Sequence, residues 1–237
     1  MAKTSAELLG LVAGILVFLG AILAGLIYHP ASPLPDHWNP TKPLIIRDPF
    51  TPVSNWKLRQ LEDDFAYCRK FLEDLKIRYT VLPDTEVSEN CHIRNQVALD
   101  QIGATKINTL NTSCKTALRL ALWEFHSLQP LAVKQKQSSV QAIQHQGSYS
   151  CRKIRTEEGE GTRFSQHATA SAIDIKAITL ANGQTLSLNE NWEDSDGFLK
   201  HVRNGACPFF SAVLSPDFNS LHTDHFHFDL GRYRTCQ

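Results

Sequence analysis

Hydropathy along the chain separates one unbroken apolar block from an amphipathic remainder. Leu8 to Tyr28 carries no charged residue. A helix of that length, rising ~1.5 Å per residue, covers about the ~30 Å hydrocarbon core of a bilayer. It exceeds the ~7–15-residue apolar region of a cleavable signal, and no A-x-A site follows it. The pattern therefore predicts an uncleaved signal-anchor over residues 1–28, a single membrane pass. Lys3 and the amino terminus favour a cytoplasmic N-terminus, which puts the rest of the chain outside. Gly10 and Gly14 form a GxxxG pair that could support a homodimer through the anchor, although small residues are common in such spans.

Beyond the block, seven of the eleven prolines fall between His29 and Pro52. Proline fixes φ and favours extended geometry, so residues 29–52 read as a semi-rigid stalk, with Leu44-Ile45-Ile46 docking at the edge of a domain that spans 53–237. In that domain Trp56, Leu58, Leu61, Phe65, Cys68, Leu72 and Leu75 follow helical spacing behind a cap at Ser54 or Asn55. A second helix opens at Ser113, is apolar on most sides, and ends before Pro130. Phe198 to Val202 suggests a third, closing near Gly205.

Strand signals fall at Val97–Ile102 and Ser139–Gln144. Ala172–Leu180, Asn182-Gly183 and Thr185–Leu188 read as a hairpin with a type I′ turn. His225–Leu230 alternates polar and apolar residues, which places His225, His227 and Asp229 on one face. The expected class is α+β, a small, mostly antiparallel sheet packed with helices.

Lys+Arg and Asp+Glu balance at 24 each, so nothing argues for nucleic acid or for capture by an anionic surface. The six cysteines, Cys68, Cys91, Cys114, Cys151, Cys207 and Cys236, include no C-x-x-C pair. Outside the cytosol they most simply form three disulfides, with 15 pairings open in principle. Sequential pairing (68–91, 114–151, 207–236) closes the shortest loops and is the expectation.

The chemistry concentrates in His167, Asp174 and the run His222-Thr-Asp224-His225-Phe-His227. Two imidazoles and a carboxylate, His167, Asp174 and His227, make a three-ligand set for Zn2+ that leaves a fourth tetrahedral position for water. Asp174 lies between Ile173 and Ile175, where an acid must meet a polar partner or bear a large desolvation cost. Asp224, three residues before His227, is placed to be the general base. His225 is placed to donate to a developing oxyanion or to support a ligand. His222 is an alternative ligand or a group on the substrate side. His126 reads as a core histidine, and His145 and His201 lack partners in sequence. Ser165 has no G-x-S-x-G context for a nucleophile. Asn111-Thr-Ser113 is a formal glycosylation sequon whose Ser113 has structural value if it caps a helix.

The stretches Gly147–Arg152, Phe164–Ile175, Leu199–Cys207 and Asn219–Asp229 resemble the bacterial extensin-like C-terminal domain family, from about Leu44 to the C-terminus. That family looks like a branch of the zinc D-alanyl-D-alanine carboxypeptidases and lysostaphin-like peptidases, with the pattern S-x-H-x-x-G-x-A-x-D and a later H-x-H. Ser165, His167, Ala172 and Asp174 match it, while Ala170 stands where the pattern has glycine. The resemblance implies His167, Asp174 and His227 as zinc ligands, Asp224 as base and His225 as transition-state partner. It adds Arg152 and Ser165 as substrate contacts, Arg152 suiting a peptide's terminal carboxylate. It further implies a cell-wall peptide substrate in a periplasm, with the chain anchored in the inner membrane. The resulting expectation is a membrane-anchored zinc peptidase or amidohydrolase. The alternative is a catalytically silent wall-binding or scaffold domain that keeps the metal site.

Overall fold

The computed structural model describes residues 2–237, with side chains from Glu7 onward. The amino terminus and the Lys3 side chain, which carry the orientation reading, lie outside the described residues. The chain divides into two compact units, one ending at Leu58 and one spanning Arg59–Gln237.

In the first unit, helix α1 covers Ala2–Tyr28. Its stretch Glu7–Tyr28 is 22 residues long, apolar, and not buried within the protein. Such a helix suits a membrane anchor or a signal sequence. The proline-rich segment after it is not the extended stalk that its composition predicts. It makes a 3-10 turn at Asp36–Trp38 and further turns, tied by side chains. Asn39, fully buried, donates to the Ile27 carbonyl at 2.9 Å, and Lys57 Nζ reaches the Asp36 carbonyl at 3.0 Å. Helix α2, Pro52–Leu61, is capped by Thr51 rather than by Ser54 or Asn55. Thr51 Oγ1 accepts from the Ser54 amide at 3.1 Å and donates to the His37 carbonyl. Pro52 then occupies the first helical position, where its missing N–H costs nothing.

The single long helix expected from Trp56 to Leu75 is two. After α2 the run Glu62-Asp63-Asp64 breaks the spacing, and α3, Phe65–Asp74, restarts with Asp64 accepting from the Ala66 and Tyr67 amides. Four strands follow: β1 Tyr79–Val81, β2 Thr85–Ser88, β3 Cys91–Ile93 and β4 Gln96–Ile102. Next come β5 Thr105–Ser113 and α4 Cys114–Trp123, the latter capped by Ser113. The helical path does not stop before Pro130. One π turn, Glu124–Leu128, leads into α5, Gln129–Lys136, with Pro130 in its first turn, where its ring is tolerated. The buried Glu124 carboxylate accepts from the Ala104 amide, Thr105 Oγ1 and Gln129 Nε2, tying the β4–β5 turn to this helix. Gly103 in that turn has φ +54°, and a Cβ there would come within 2.1 Å of the same carboxylate.

The remainder runs β6 Val140–Gly147, β7 Lys153–Thr156, β8 Gly159–Phe164, β9 Ala172–Leu180, β10 Thr185–Ser187, α6 Leu188–Asn191 and α7 Phe198–Ala206. It closes with β11 Ala212–Leu214, β12 Phe226–Asp229 and β13 Thr235–Cys236. The class is α+β and the sheet is mostly antiparallel, as expected, but it is not small. Nine strands join in the order β1-β4-β5-β6-β9-β12-β11-β13, with β10 beside β9. The pairs β5–β6 and β11–β13 are parallel. The β9–β10 hairpin forms, although not with a type I′ turn. Gly183 alone has positive φ (+90°) and its amide bonds the Leu180 carbonyl, a type I turn followed by a left-handed glycine.

The disulfides are Cys68–Cys114, Cys91–Cys151 and Cys207–Cys236. Only the last is the expected sequential pair. Short-loop closure did not decide the other two, because packing places α3 against α4 and β3 against the segment leading to His167.

Candidate metal centre

Strand alternation builds the site. Phe226 and Phe228 turn inward, fully buried, with Phe228 edge-on to Trp123 at 5.3 Å. His227 and Asp229 therefore take the other face of β12. The antiparallel register sets His227 directly opposite Asp174 of β9. His167 comes from a separate 3-10 turn, Gln166–Thr169, capped by Ser165, whose Oγ accepts from the His167 amide. The three ligand candidates that the sequence singles out thus converge. His167 Nε2 lies 3.1 Å from Asp174 Oδ1, His227 Nδ1 lies 2.9 Å from the same oxygen, and the two nitrogens are 3.2 Å apart.

Each imidazole is oriented by its far nitrogen. His167 Nδ1 donates to the Ser148 carbonyl at 2.9 Å, and His227 Nε2 donates to Asp229 Oδ2 at 3.1 Å. A carbonyl and a carboxylate accept, so His167 Nδ1 and His227 Nε2 carry hydrogens, and His167 Nε2 and His227 Nδ1 are the ring nitrogens turned toward Asp174 Oδ1. With Asp174 Oδ1, three atoms that could each hold a metal ion face one another, and a cation, metal or proton, can be shared among them. Ligand atoms ~2.0–2.1 Å from a tetrahedral zinc lie about 3.3–3.4 Å apart, close to the three distances here. The carboxylate behind an imidazole is the usual outer support of such a ligand. The residues fit a zinc ion.

A proton can play the cation's part. Burial lowers His227, but hydrogen bonds to Asp174 and Asp229 outweigh it and raise the group from 6.5 to about 9. Burial likewise raises Asp174, yet the two histidines hold it far below the usual carboxylate range. The signs follow from linkage. A raised His227 stabilises the fold fully below its unfolded value, and that contribution is lost as pH rises through the folded one. A depressed Asp174 stabilises above about pH 4, and its contribution is lost in acid. Chelator-treated protein is therefore expected to lose urea stability between pH 6.5 and about 9, the interval of the His227 shift. A flat profile there would exclude the pairing.

Asp224 Oδ1 bonds His225 Nδ1 at 2.8 Å, while Oδ2 faces Lys176 Nζ at 3.8 Å and Gln146 Nε2 at 3.5 Å. His225 Nε2 lies 3.8 Å from Asp174 Oδ1. His225 thus stands at the ligand cluster, and Asp224, half exposed, stands behind it. The bond to His225 keeps Asp224 below its ordinary value. His222 is not in the ligand triangle. Its ring centre is 5.2 Å from that of His225 and 5.9 Å from that of His227. Burial, with His227 and His225 nearby, holds it down to about 4.

Arg152 borders the site closely enough for Asp174 to act on its charge, although burial dominates and lowers it. Its Nη1 donates to the Lys153 carbonyl at 3.3 Å. Ser165 Oγ accepts from the His167 amide at 3.3 Å, which positions the ligand. Three further histidines are engaged elsewhere: His126 stacks on Phe209, His145 Nε2 meets the Asn108 carbonyl, and His201 Nδ1 meets Gln135. Asp229, which holds the far nitrogen of His227, is a further residue of the site, and its place two residues after His227 is the signal for it in the sequence.

Ala170 ends the His167 turn at φ +48°, fully buried. Thr112, Ser113 and Thr116 hydroxyls all donate to its carbonyl, at 3.2, 3.1 and 2.8 Å. Glycine would relieve ~1–2 kcal/mol of left-handed strain while adding chain entropy and removing a buried methyl, so Ala170→Gly is expected to stay within about 1 kcal/mol of the parent. Ala170→Val, β-branched and overpacked, is expected to lose ~2–4 kcal/mol in urea unfolding.

An α+β domain with a buried His–Asp–His cluster on one sheet face is the class these observations define. Residues 66–237 match the family described as "Extensin-like protein C-terminus", and the chain belongs to that family. No characterised protein and no solved structure matches the chain.

Proposed function

We propose that this domain is a zinc-dependent peptidase or amidohydrolase acting on cell-wall peptides, held at the outer side of the inner membrane by α1. The observation that carries the reading is the convergence of three atoms able to hold a metal ion, His167 Nε2, His227 Nδ1 and Asp174 Oδ1, beside the His225 imidazole. The substrate class is taken from the motif resemblance alone, Ser165, His167, Ala172 and Asp174 followed by His225-Phe-His227.

Zinc bound by these residues would supply a Lewis acid for a scissile carbonyl and make a water molecule acidic near neutral pH. The chain's own groups do the rest. Asp224 accepts from His225 Nδ1–H, which leaves His225 Nε2 bare on the ligand side to take a proton from the attacking water and return it to the leaving amine. Asp229 and the Ser148 carbonyl hold the two ligand imidazoles in register. Arg152, half-buried at the rim, offers a planar guanidinium for the substrate's carboxylate.

Incubation of full-length, zinc-loaded protein in detergent with purified muropeptides tests this. Release of D-alanine or cut peptides that stops on chelation and returns with zinc is expected. No turnover with zinc bound would sink the reading, and sedimentation with insoluble wall material without turnover would favour the silent wall-binding domain.

A further inference from the structure

The Asn219–His222 turn is built to hold one imidazole still. Asn219 Oδ1 accepts from the Leu221 amide at 3.1 Å, which identifies it as the oxygen, and it also bonds His222 Nδ1 at 2.6 Å. An acceptor there requires Nδ1 to carry the hydrogen, so Nε2 is a bare acceptor. Phe218 packs edge-on to the ring at 5.5 Å. The turn is braced from outside as well. Glu157, at the tip of the β7–β8 hairpin, accepts from the Ser220 amide at 3.2 Å and from Ser220 Oγ at 2.7 Å. Among the described residues no protein group meets His222 Nε2, and the atom is not sealed from solvent.

The ring stands beside His225 and His227 but outside the ligand cluster. A tautomer fixed on one side, an unshared acceptor on the other and a double brace make a preorganised group with nothing in the protein to bond. Resting on the peptidase reading, we propose that His222 is a substrate-positioning residue whose Nε2 accepts a hydrogen bond from a non-scissile backbone N–H of the bound peptide. The implied substrate is a peptide that carries at least one free amide besides the cut bond.

The test uses zinc-loaded full-length protein, an N-acyl-L-lysyl-D-alanyl-D-alanine probe, and the same probe N-methylated at each non-scissile amide in turn. One methylation is expected to raise KM about tenfold in the parent with kcat nearly unchanged. His222→Leu should show that loss already with the unmethylated probe and little more on methylation. His222→Gln, which keeps an acceptor, should recover part of it, and Asn219→Ala, which frees the ring, should give an intermediate loss. All variants should retain zinc. Equal methylation penalties in parent and His222→Leu would overturn the inference, as would loss of zinc from His222→Leu. If the parent turns over no probe, the peptidase reading fails by itself. Calorimetric binding of the same probes then runs the same cycle, and equal penalties or no binding there overturn the inference too.

Discussion

Replacing His225 with alanine is expected to lower kcat on muropeptides by ~10²–10⁴-fold while leaving zinc content unchanged. His225 is the group whose free nitrogen faces the ligand cluster, at 3.8 Å from Asp174 Oδ1, yet it is not one of the three ligand atoms. Asp224→Ala is expected to cost less, roughly 10–100-fold, because Asp224 acts by orienting His225 and by stabilising the imidazolium that forms. Its carboxylate bonds the far nitrogen of that ring and otherwise turns to Lys176 and solvent. The opposite ranking, with Asp224→Ala the more damaging and His225→Ala mild, would make Asp224 the direct base that its position in the sequence first suggests. Steady-state kinetics with elemental analysis of each variant decides between them.

The largest expected loss of stability comes from opening Cys91–Cys151. The bridge closes a loop of 60 residues. On the chain-entropy account a loop of that length is worth about 4 kcal/mol. For a domain of this size, that corresponds to a fall in Tm of ~8–16 °C. The effect should reach the site. Cys151 directly precedes Arg152, whose carbonyl accepts from the Ser165 amide, and Ser165 caps the turn that carries His167. Cys91→Ser/Cys151→Ser protein is therefore expected to bind zinc more weakly as well as to melt earlier. Opening Cys207–Cys236, which closes only 29 residues at the C-terminus, should leave zinc affinity near the parent's. Differential scanning calorimetry and zinc titration of the two double variants measure both effects, and equal zinc affinities in the two would contradict the tether.

The meeting of His227 with Asp174 was legible because strand alternation is local, whereas His167, on a 3-10 turn, was marked only by its spacing from Asp174. Once Phe226 and Phe228 are placed inward, His227 must face outward, and an acid between Ile173 and Ile175 asks for the partner that the register supplies. Asp229 was legible by the same rule. The Asp224–His225 contact was not, because both residues precede β12 and alternation does not govern them. Strand β5 escaped because buried Thr105, Thr112 and Ser113 interrupt the apolar rhythm; their hydroxyls serve Glu124 and the Ala170 carbonyl, partners far off in sequence. The break between α2 and α3 did carry a signal, Asp64 ahead of Phe65, which the continuing apolar spacing masked. The two long-range disulfides depend on which elements pack together, and no local pattern encodes that.

Elemental analysis of purified full-length protein tests the central claim most directly. The account predicts one zinc per chain in the parent and in His225→Ala, and less than a tenth of that in Asp174→Ala. Absence of zinc from the parent after incubation with the metal, or equal zinc in parent and Asp174→Ala, would contradict it.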